Sequence, residues 1–381
     1  MIYLDNAATT FPKPQLVYET MDDWNRNKAV NAGRGGYKLA REASKMISDT
    51  KQKIRELVSA DITCSVVFSP SVTVAMNQIA NGLDIKKTDT VYITPYEHNA
   101  VARTINLLAH KVGFSVKMIP LDENTLEIDI EKMKYEFSKD RPNVVFATHV
   151  SNVTGYILPV ERIFEEAKRF SAITVLDSAQ SLGLIEVNVS KINADLIAFA
   201  GHKTLYGPFG IGGFINVKNI DLQPFIVGGT GSDSLNLDMP DGMESKYESA
   251  SSNIVAIAGL NAALSSLNQS ETYSIEKELT EYLINSLSTI KGLNIYGIDN
   301  SATSVGIVSF TLQDITSEDL GIILDEDFSI AVRTGYHCAP YIHDFLNDKN
   351  KLGTVRVGLS QFNSKKDIDK LVQALKEIAN E

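Results

Sequence analysis

The sequence predicts an α/β protein with a large domain, in which a mostly parallel sheet lies between helices, and a smaller C-terminal α/β domain. Short β-rich runs alternate with helical patterns from about residue 60 to residue 217, which is typical of such a sheet. After about residue 250 the pattern changes to long helices followed by further strands. The 381 residues, 44% of them hydrophobic, are enough for two substantial cores.

Seven short runs are predicted as strands of the large sheet because they are rich in β-branched and aromatic residues. They cover residues 66–68, 91–93, 116–119, 144–146, 173–176, 196–199 and 214–217. The helix after the first run is clearly marked, because the apolar residues from Val72 to Leu83 follow the three- and four-residue spacing of a buried helix face. Gly82 lies near the point where this helix should stop.

The C-terminal part is predicted to contain helices at 253–267 and 271–289, strands at 305–311 and 330–333, and a last helix that begins after Ser364 with Asp367 in a capping box. Residues 15–255 are therefore predicted as the large domain, and residues 1–14 with 256–381 as the small domain. The polar, glycine-rich stretch 228–247 is predicted to be a long loop that crosses to another subunit or covers the site.

The composition excludes several classes of function. The 36 Lys and Arg residues against 47 Asp and Glu residues give a net charge of −11, which argues against a nucleic-acid-binding surface. No segment reaches the roughly 18 apolar residues of a membrane span, and no signal peptide is visible. Cys64 and Cys338 are too few for a disulfide scaffold, so a reducing, cytoplasmic location is expected.

Polar residues follow the ends of successive predicted strands, where ligands bind in open α/β sheets. Ser71, Val72 and Thr73 open a helix whose free N–H groups and positive dipole end suit a phosphate. Ordinary helix capping explains this group equally well. His98 and Asn152 follow two further strands.

Asp177 and Lys203 suggest a specific cofactor. An apolar run that ends in Asp177 and another that ends in Gly-His-Lys (201–203) can hold the two ends of pyridoxal phosphate. The carboxylate keeps the ring nitrogen protonated, and the lysine amine forms a Schiff base with the aldehyde. A buried carboxylate would be costly without such a partner. Gln180, three residues after Asp177, is placed to reach the hydroxyl of the same ring.

Together with Arg-Thr-Gly-Tyr-His-Cys-Ala-Pro (333–340), these stretches resemble the class V aminotransferase family, and within it the cysteine desulfurase and selenocysteine lyase group. The resemblance extends from Tyr-Leu-Asp-Asn-Ala-Ala-Thr-Thr (3–10) through Asn-Ala-Gly-Arg-Gly-Gly (31–36) to Thr-Val-Arg-Val-Gly-Leu-Ser (354–360). It implies the fold of the type I pyridoxal phosphate enzymes, pyridoxal 5′-phosphate as the cofactor, no metal, and a homodimer.

The resemblance also implies roles for individual residues. His98 matches the histidine that stacks on the cofactor ring, and Asn152 matches the asparagine near the cofactor's phenolic oxygen and the substrate. His202 matches a phosphate contact, and Ser251 matches a phosphate contact made across the dimer interface. Arg356 resembles the arginine that holds a substrate α-carboxylate by a bidentate pair.

Cys338 is predicted to be the nucleophile that forms a persulfide, because Arg333 and His337 lie close in sequence and favour the thiolate. In the implied reaction Lys203 removes the Cα proton of L-cysteine, the sulfur passes to Cys338, and L-alanine is released, with His98 as the proton carrier. Arg333 would also help to hold the substrate. The sulfur then leaves for an acceptor protein or thiol.

Several alternatives stay open. The same groups serve a selenocysteine lyase acting on L-selenocysteine, and in an aminotransferase or another class V lyase Cys338 would be incidental. A catalytically idle cofactor-binding protein has no need of so many matching residues. The glycine-rich segment 207–213 leads into a strand rather than a helix, which argues against NAD binding. His337, Cys338 and His343 match no common zinc-ligand spacing.

Some positions depart from the family pattern. Ala200 stands where many relatives have a phosphate-binding serine, and Ser249-Ala250-Ser251 replaces a glycine-threonine turn. These changes weaken individual phosphate contacts. They do not affect the assignment of Lys203 as the residue that forms the Schiff base. Residues 339–351 also differ, and because loops of this kind tend to choose the sulfur acceptor, the acceptor is left open.

Overall fold

A computed structural model describes residues 1–32, 35–231, 235–297 and 303–379. Gly33 and Arg34 of the family resemblance, and Ser232 of the predicted long loop, lie outside the described residues. Within those ranges, no helix has the length and the apolar character that crossing a membrane requires.

The elements follow one another as a large α/β unit and then a mixed C-terminal part. The first part contains β1 (Ile2–Tyr3), α1 (Gln15–Asn27), α2 (Lys38–Leu57), β2 (Ser65–Ser69), α3 (Val72–Gly82), β3 (Thr90–Ile93), α4 (Asn99–Val112), β4 (Ser115–Met118), α5 (Ile130–Lys139), β5 (Val144–Thr148), α6 (Val160–Lys168), β6 (Ile173–Asp177), α7 (Val189–Ile192), β7 (Leu196–Ala200) and β8 (Gly212–Asn216). The second contains α8 (Ile254–Ser266), α9 (Gln269–Leu287), β9 (Leu293–Tyr296), β10 (Ile307–Leu312), α10 (Ser317–Glu326), β11 (Ile330–Ala331), β12 (Arg333–Gly335), two short 3-10 helices (Ile342–Asp344 and Lys349–Lys351), β13 (Thr354–Gly358) and α11 (Lys365–Ile378).

The large sheet has seven strands in the order β2-β8-β7-β6-β5-β3-β4. Strand β8 runs antiparallel to both of its neighbours, and the other neighbouring pairs are parallel. The prediction of a mostly parallel sheet between helices is therefore confirmed, and all seven predicted runs form strands, with end shifts of one or two residues. Because each connection between parallel strands carries a helix, both faces of the sheet are covered.

The strands are apolar on both faces because each face has its own core. Val66 belongs to the core that includes helices α2, α5, α6 and α8, whereas the next residue, Val67, belongs to the core that includes α3 and α4. The predicted stripe of α3, from Val72 to Leu83, is buried in this second core. This alternation follows the two-residue period of a strand.

A smaller antiparallel sheet, in the order β12-β13-β10-β9, forms the C-terminal part with α9, α10 and α11. The single strand predicted at 330–333 is divided in two. Ile330–Ala331 pairs in parallel with β1 at the N-terminus, and Arg333 begins the separate strand β12. The capping box of α11 is confirmed, since the Asp367 carboxylate accepts a hydrogen bond from the Ser364 N–H at 2.9 Å.

The predicted division between residues 15–255 and the remaining residues stays a prediction. Two contacts bear on it. Leu4 lies in the core of the small sheet, as the assignment of 1–14 to the small domain requires. Helix α8, which starts beside the boundary, packs against α1 and α2 of the large unit.

The long segment between β8 and α8 is anchored at its C-terminal end to strand β2 of the same chain. The carboxylates of Glu244 and Glu248 accept hydrogen bonds from the N–H groups of Val66 and Phe68, at 3.0 and 2.7 Å. Lys51 lies 2.7 and 2.8 Å from the two carboxylates. Because β2 is an edge strand, these contacts protect its open edge from pairing with another chain.

A buried carboxyl group links α9 to the turn after β7 and makes stability depend on pH. Glu276 accepts a hydrogen bond from the Tyr206 hydroxyl at 3.2 Å, and burial raises the pKa of Glu276 to about 8. Between about pH 5 and pH 8 the folded state keeps a proton that the unfolded state releases, so stability falls as pH rises.

We therefore expect Glu276→Gln, which cannot ionise, to gain stability relative to wild type as pH rises. The difference in the free energy of unfolding should grow by at least about 1 kcal/mol between about pH 5 and pH 8, close to the equivalent of one pKa unit. Urea unfolding at both pH values measures it. An equal difference at both would contradict the buried neutral carboxyl.

Candidate active site

The candidate site lies where the carboxyl ends of the parallel strands meet. His98 follows β3, Asn152 follows β5, Asp177 ends β6 and Lys203 follows β7. Strand β8 extends this edge, because its first residue, Gly212, pairs with the last residues of both β2 and β7. The sheet thus brings these side chains, and the start of α3, to one edge.

Lys203 is at the centre of this group. Its pKa is lowered to about 8, first by burial and then by Arg356 and Arg333, while Asp177 and Cys338 act in the opposite direction. A lysine with such a pKa is partly neutral near pH 8. A larger fraction of it than of an exposed lysine is therefore the free amine, the form that attacks an aldehyde or accepts a proton.

Asp177 is buried at the end of β6. Its Oδ1 atom accepts a hydrogen bond from the Ala179 N–H at 2.9 Å. Burial raises the pKa of Asp177, whereas the Ala179 N–H and Lys203 oppose that shift. Gln180 points into the same region and donates to the Ala7 carbonyl at 2.8 Å, so the N-terminal segment also borders the site.

His98 is held as a neutral imidazole. Its Nδ1 atom accepts a hydrogen bond from the Ala100 N–H at 3.1 Å, which caps helix α4. Burial and the positive charges of Lys203 and Arg333 lower the pKa of His98 to about 3. Because Nδ1 accepts, the ring proton is assigned to Nε2, so His98 can offer one N–H donor to the site.

Arg356 is almost fully buried in β13 and reaches across to the large unit. Its Nη1 atom donates to the Asn152 carbonyl at 2.9 Å, and its Nη2 atom lies 2.7 Å from the Asp5 carboxylate. Its Nε atom is buried and has no hydrogen-bond partner among the described residues. Such a guanidinium still has N–H groups to offer to a carboxylate.

Cys338 lies beside Arg333 at the mouth of the site. The Nη2 atom of Arg333 is 3.5 Å from the Cys338 Sγ atom. The half-buried thiol lines an open cleft of about 720 Å³ together with Arg103 and Tyr341.

The predicted contribution of His337 to the reactivity of the thiol stays a prediction. Burial, together with the charges of Arg356 and Arg333, lowers the pKa of His337 well below its usual value. The ring is therefore neutral, and its Nε2 atom lies 2.8 Å from the Thr354 hydroxyl. His337 supports the fold of the loop, and the positive charge beside the thiol comes from Arg333.

The start of α3 forms a cradle of backbone N–H groups. Ser71 caps the helix by accepting a hydrogen bond from the Val74 N–H at 3.2 Å, which leaves the first helical N–H groups available. Gly212 faces them so closely that a Cβ atom there would lie 2.9 Å from the Val72 nitrogen. The close approach requires glycine, and the exposed N–H groups suit an anion such as a phosphate.

His202 and Lys13 add further donors near this edge. His202 stacks on Phe209 with ring centroids 4.8 Å apart, and its buried Nδ1 atom has no partner among the described residues. Burial lowers its pKa to about 4. Lys13 donates to the His202 carbonyl and to the Thr10 hydroxyl, each at 2.7 Å, and burial lowers its pKa to about 7.

Ser251 belongs to the segment that precedes α8. It is exposed, the Asn31 amide lies 3.5 Å from its hydroxyl, and it lines a cavity of about 390 Å³ with Pro70 and Gly210. Its predicted phosphate contact across a dimer interface stays a prediction.

Sequence reasoning gave no role to several residues that build the site. Asp5 could have been found by asking which acid a buried arginine needs. Glu97, directly before His98, carried a weak signal as a polar residue at a strand end. It accepts hydrogen bonds from the Thr94 hydroxyl at 2.6 Å and the Thr148 N–H at 2.8 Å, and burial raises its pKa to about 7.

Comparisons with known proteins agree with this architecture. The family model described as Aminotransferase class-V matches residues 2–371. The chain is 33% identical to a probable cysteine desulfurase of Halalkalibacterium halodurans, over 99% of this chain and 93% of that protein. It is 32% identical to a cysteine desulfurase of Haloferax volcanii, over 98% of this chain and 88% of that protein.

Solved structures give the same result. The apo structure of a cysteine desulfurase from Thermococcus onnurineus superimposes with a TM-score of 0.92 at 30% identity, covering all of this chain and 94% of that one. The cysteine desulfurase CsdA from Escherichia coli superimposes with a TM-score of 0.86 at 25% identity, over 99% and 94% of the two chains. This chain therefore belongs to the class V aminotransferase family, and the predicted family and fold are confirmed.

Proposed function

We propose that this protein is a pyridoxal phosphate-dependent cysteine desulfurase, which converts L-cysteine to L-alanine and places the sulfur on Cys338. The observation that carries the proposal is one sheet edge at which Asp177 ends β6 and Lys203 follows β7. The Cys338 thiol lies 3.5 Å from Arg333, and the Cys338 carbonyl accepts a hydrogen bond from the Asn99 N–H, next to His98. The names of the relatives at 30% identity or more support it.

The residues at the sheet edge fit pyridoxal phosphate. The N–H groups of Val72 and Thr73, the Ser71 side chain and His202 would hold the phosphate, and Asp177 would hold the ring nitrogen. Lys203 would hold the aldehyde carbon, His98 would cover the ring, and Asn152 and Gln180 would lie near its hydroxyl. Two features support this fit. The buried Nδ1 atom of His202 has no partner among the described residues, and the cradle of N–H groups opposite Gly212 is open to an anion.

Arg356 and Arg333 would provide the positive charges that hold the substrate. A substrate carboxylate would approach Arg356, whose buried Nε atom lacks a partner among the described residues, while Asn152 and Asp5 hold the rest of the guanidinium. Arg333, 3.5 Å from the Cys338 thiol, would meet the substrate near its sulfur.

The bound cofactor would accept the electrons released at Cα when its proton leaves. Lys203, as the free amine, takes that proton. The Cys338 thiolate then attacks the substrate sulfur: an S–S bond forms, the Cβ–S bond breaks, and its electron pair stays on the carbon, which is finally protonated to a methyl group. The products are L-alanine and the Cys338 persulfide. The Nε2–H of His98 is placed to carry a proton to or from the reacting groups.

The proposal includes a homodimer and a sulfur acceptor. Several large apolar side chains of the described residues stay exposed, among them Phe11, Tyr37, Phe209 and Leu237. An interface would cover them and would bring Ser251 to a partner's phosphate site. The acceptor, a protein or a small thiol, would enter the open cleft at Cys338. The free cysteines Cys64 and Cys338 fit a reducing, cytoplasmic compartment.

Product analysis tests the function. The purified holoenzyme, incubated with L-cysteine and a reducing thiol, is expected to yield alanine and sulfide in equal amounts without any keto acid. Turnover of L-selenocysteine but not of L-cysteine would make the protein a selenocysteine lyase. Amino transfer that depends on a keto acid would make it an aminotransferase, and the desulfurase proposal would then be wrong.

Replacing Asp177 tests the assignment of the cofactor. In Asp177→Asn the Ala179 N–H keeps an acceptor, but no carboxylate remains to hold the ring nitrogen protonated. We expect the turnover number to fall by about 100- to 1,000-fold, the magnitude seen when one preorganised electrostatic group is removed. Cofactor content, measured by absorbance, should fall less. A wild-type turnover number in a folded variant would show that Asp177 does not hold the ring nitrogen protonated.

A further inference from the structure

Cys338 lies in a strained turn. The Ala339 N–H donates to the Tyr336 carbonyl at 3.0 Å, and the two residues between them, His337 and Cys338, have positive φ angles of 46° and 59°. Positive φ at both central positions is typical of a type I′ turn, which glycine and asparagine normally occupy. Left-handed backbone at two residues with larger side chains persists only where the surroundings enforce it.

The surroundings hold this turn by its carbonyl groups. The first three carbonyl oxygens of the turn each accept a hydrogen bond from a residue outside it. The donors are the Nε2 atom of His343 at 3.1 Å, the Nδ2 atom of Asn152 at 2.6 Å and the backbone N–H of Asn99 at 2.6 Å. Asn152 and Asn99 have a place in or beside the site described above, whereas His343 has been given no role so far.

His343 is one half of a buried pair. Its Nδ1 atom lies 2.5 Å from the Asp348 carboxylate, and the two side chains are 1% and 0% exposed. The ring therefore faces an oxygen at each nitrogen. A carbonyl oxygen can only accept, so Nε2–H donates to the Tyr336 carbonyl, and Nδ1 makes its hydrogen bond with the Asp348 carboxyl group.

The carboxyl group of Asp348 depends on His343 for this arrangement. Its second oxygen, Oδ1, is buried without a hydrogen-bond partner among the described residues. The hydrogen bond with His343 is therefore the main interaction that offsets the burial of the Asp348 carboxyl group. This dependence orients the imidazole strongly. Both residues belong to segment 339–351, which lies outside the elements that would bind the cofactor.

We propose that the His343–Asp348 pair positions Cys338 for sulfur transfer. Asp348 fixes the orientation and tautomer of His343, and His343 holds the Tyr336 carbonyl and with it the left-handed turn that directs the thiol toward Arg333. His343 and Asp348 are positioning residues, since neither contacts the reacting atoms. The proposal rests on the proposed function, because sulfur transfer to Cys338 is the step that the turn serves.

Loss of the pair should slow sulfur transfer without affecting binding. The double variant His343→Phe with Asp348→Leu replaces the pair by apolar side chains of similar size, which leaves no buried charge unpaired. In the holoenzyme we expect the rate of persulfide formation on Cys338, followed by mass spectrometry, to fall by about 10- to 100-fold. The cofactor absorbance and the KM for L-cysteine should stay at wild-type values.

A conservative variant separates the hydrogen bond from the charge. In Asp348→Asn the amide can donate to Nδ1 of His343, so Nε2–H still holds the Tyr336 carbonyl. We expect this variant to keep most of the wild-type rate. A loss as large as that of the double variant would overturn the proposal. Asp344→Asn is the matched control, because among the described residues the Asp344 carboxylate makes an exposed ion pair with Lys349 in the same segment and no contact with the turn.

Hydrogen exchange provides a readout that does not depend on activity. Exchange in the peptide that contains residues 336–340 should be faster in the double variant and unchanged in Asp348→Asn, because the Ala339 N–H reports the turn. Unchanged exchange, or faster exchange at an unchanged rate of persulfide formation, would overturn the proposal. If wild type formed no persulfide, the proposed function would fail, and unchanged exchange would still refute the role of the pair in the turn.

If the melting temperature shows that the double variant is unfolded, Asp348→Ala is used in the same experiments instead. Without the carboxylate both tautomers of His343 are open, and only one donates to the Tyr336 carbonyl. The rate of persulfide formation should then fall below that of wild type. A wild-type rate would count against the proposal.

Discussion

Replacing Lys203 with alanine is expected to abolish the covalent attachment of pyridoxal phosphate and to lower alanine formation from L-cysteine by at least about 100-fold. Lys203 has two roles in the proposal: its amine holds the aldehyde carbon of the cofactor, and it later takes the Cα proton. Reduction with borohydride followed by mass spectrometry should find the cofactor on Lys203 in wild type and not on the variant.

Lys203→Arg is the matched control. It keeps a positive charge near Asp177 but stays protonated at all working pH values, so it can neither attack an aldehyde nor accept a proton. We expect it to be as inactive as Lys203→Ala. If the arginine variant kept substantial activity, the charge of Lys203 and not its nucleophilic amine would be what the site needs.

The lowered pKa of Lys203 also fixes a pH dependence. The free amine is the reactive form, and burial lowers its pKa to about 8. The rate at which cofactor-free protein takes up pyridoxal phosphate should therefore rise as pH increases and level off above about pH 8. A rate that continues to rise toward pH 10 would indicate an unperturbed lysine.

The sequence predicts the large sheet well because its strands are short apolar runs, and all of them except β8 lie next to a helix in the chain. The small sheet is predicted less well. The stretch 330–333 looks like one strand, but Ile330–Ala331 pairs with β1, whereas Arg333 pairs with β13. Which partner a strand selects is decided by contacts that are distant in sequence, and local propensity carries no information about them.

The same distinction applies to the candidate site. The positions of Asp177, Lys203 and His98 at the sheet edge could be predicted because each lies at or just after a strand end that is visible in the sequence. The environment of His337 could not be predicted, because its position beside Cys338 in the chain does not reveal that burial lowers its pKa. Asp5 was missed because it approaches Arg356 from the other end of the chain.

Cys338→Ala should stop sulfur release from L-cysteine, with a loss of more than about 1,000-fold, because removing a covalent nucleophile removes the whole step. The cofactor absorbance and its change on adding L-cysteine should persist, since binding depends on Lys203, Asp177 and the cradle at α3. Cleavage of L-selenocysteine should be less affected, because a selenol is a better leaving group and depends less on an attacking thiol.

Cys64 provides the control for this prediction. It is buried, its thiol lies 3.5 Å from the Val217 carbonyl, and burial raises its pKa, so it is a poor nucleophile. Cys64→Ser should keep wild-type sulfur release. After incubation of wild type with L-cysteine, mass spectrometry should find one added sulfur on the peptide containing Cys338, removable by a reducing thiol. Sulfur on Cys64 instead, or alanine formation without any persulfide, would show that the thiol beside Arg333 is not the nucleophile.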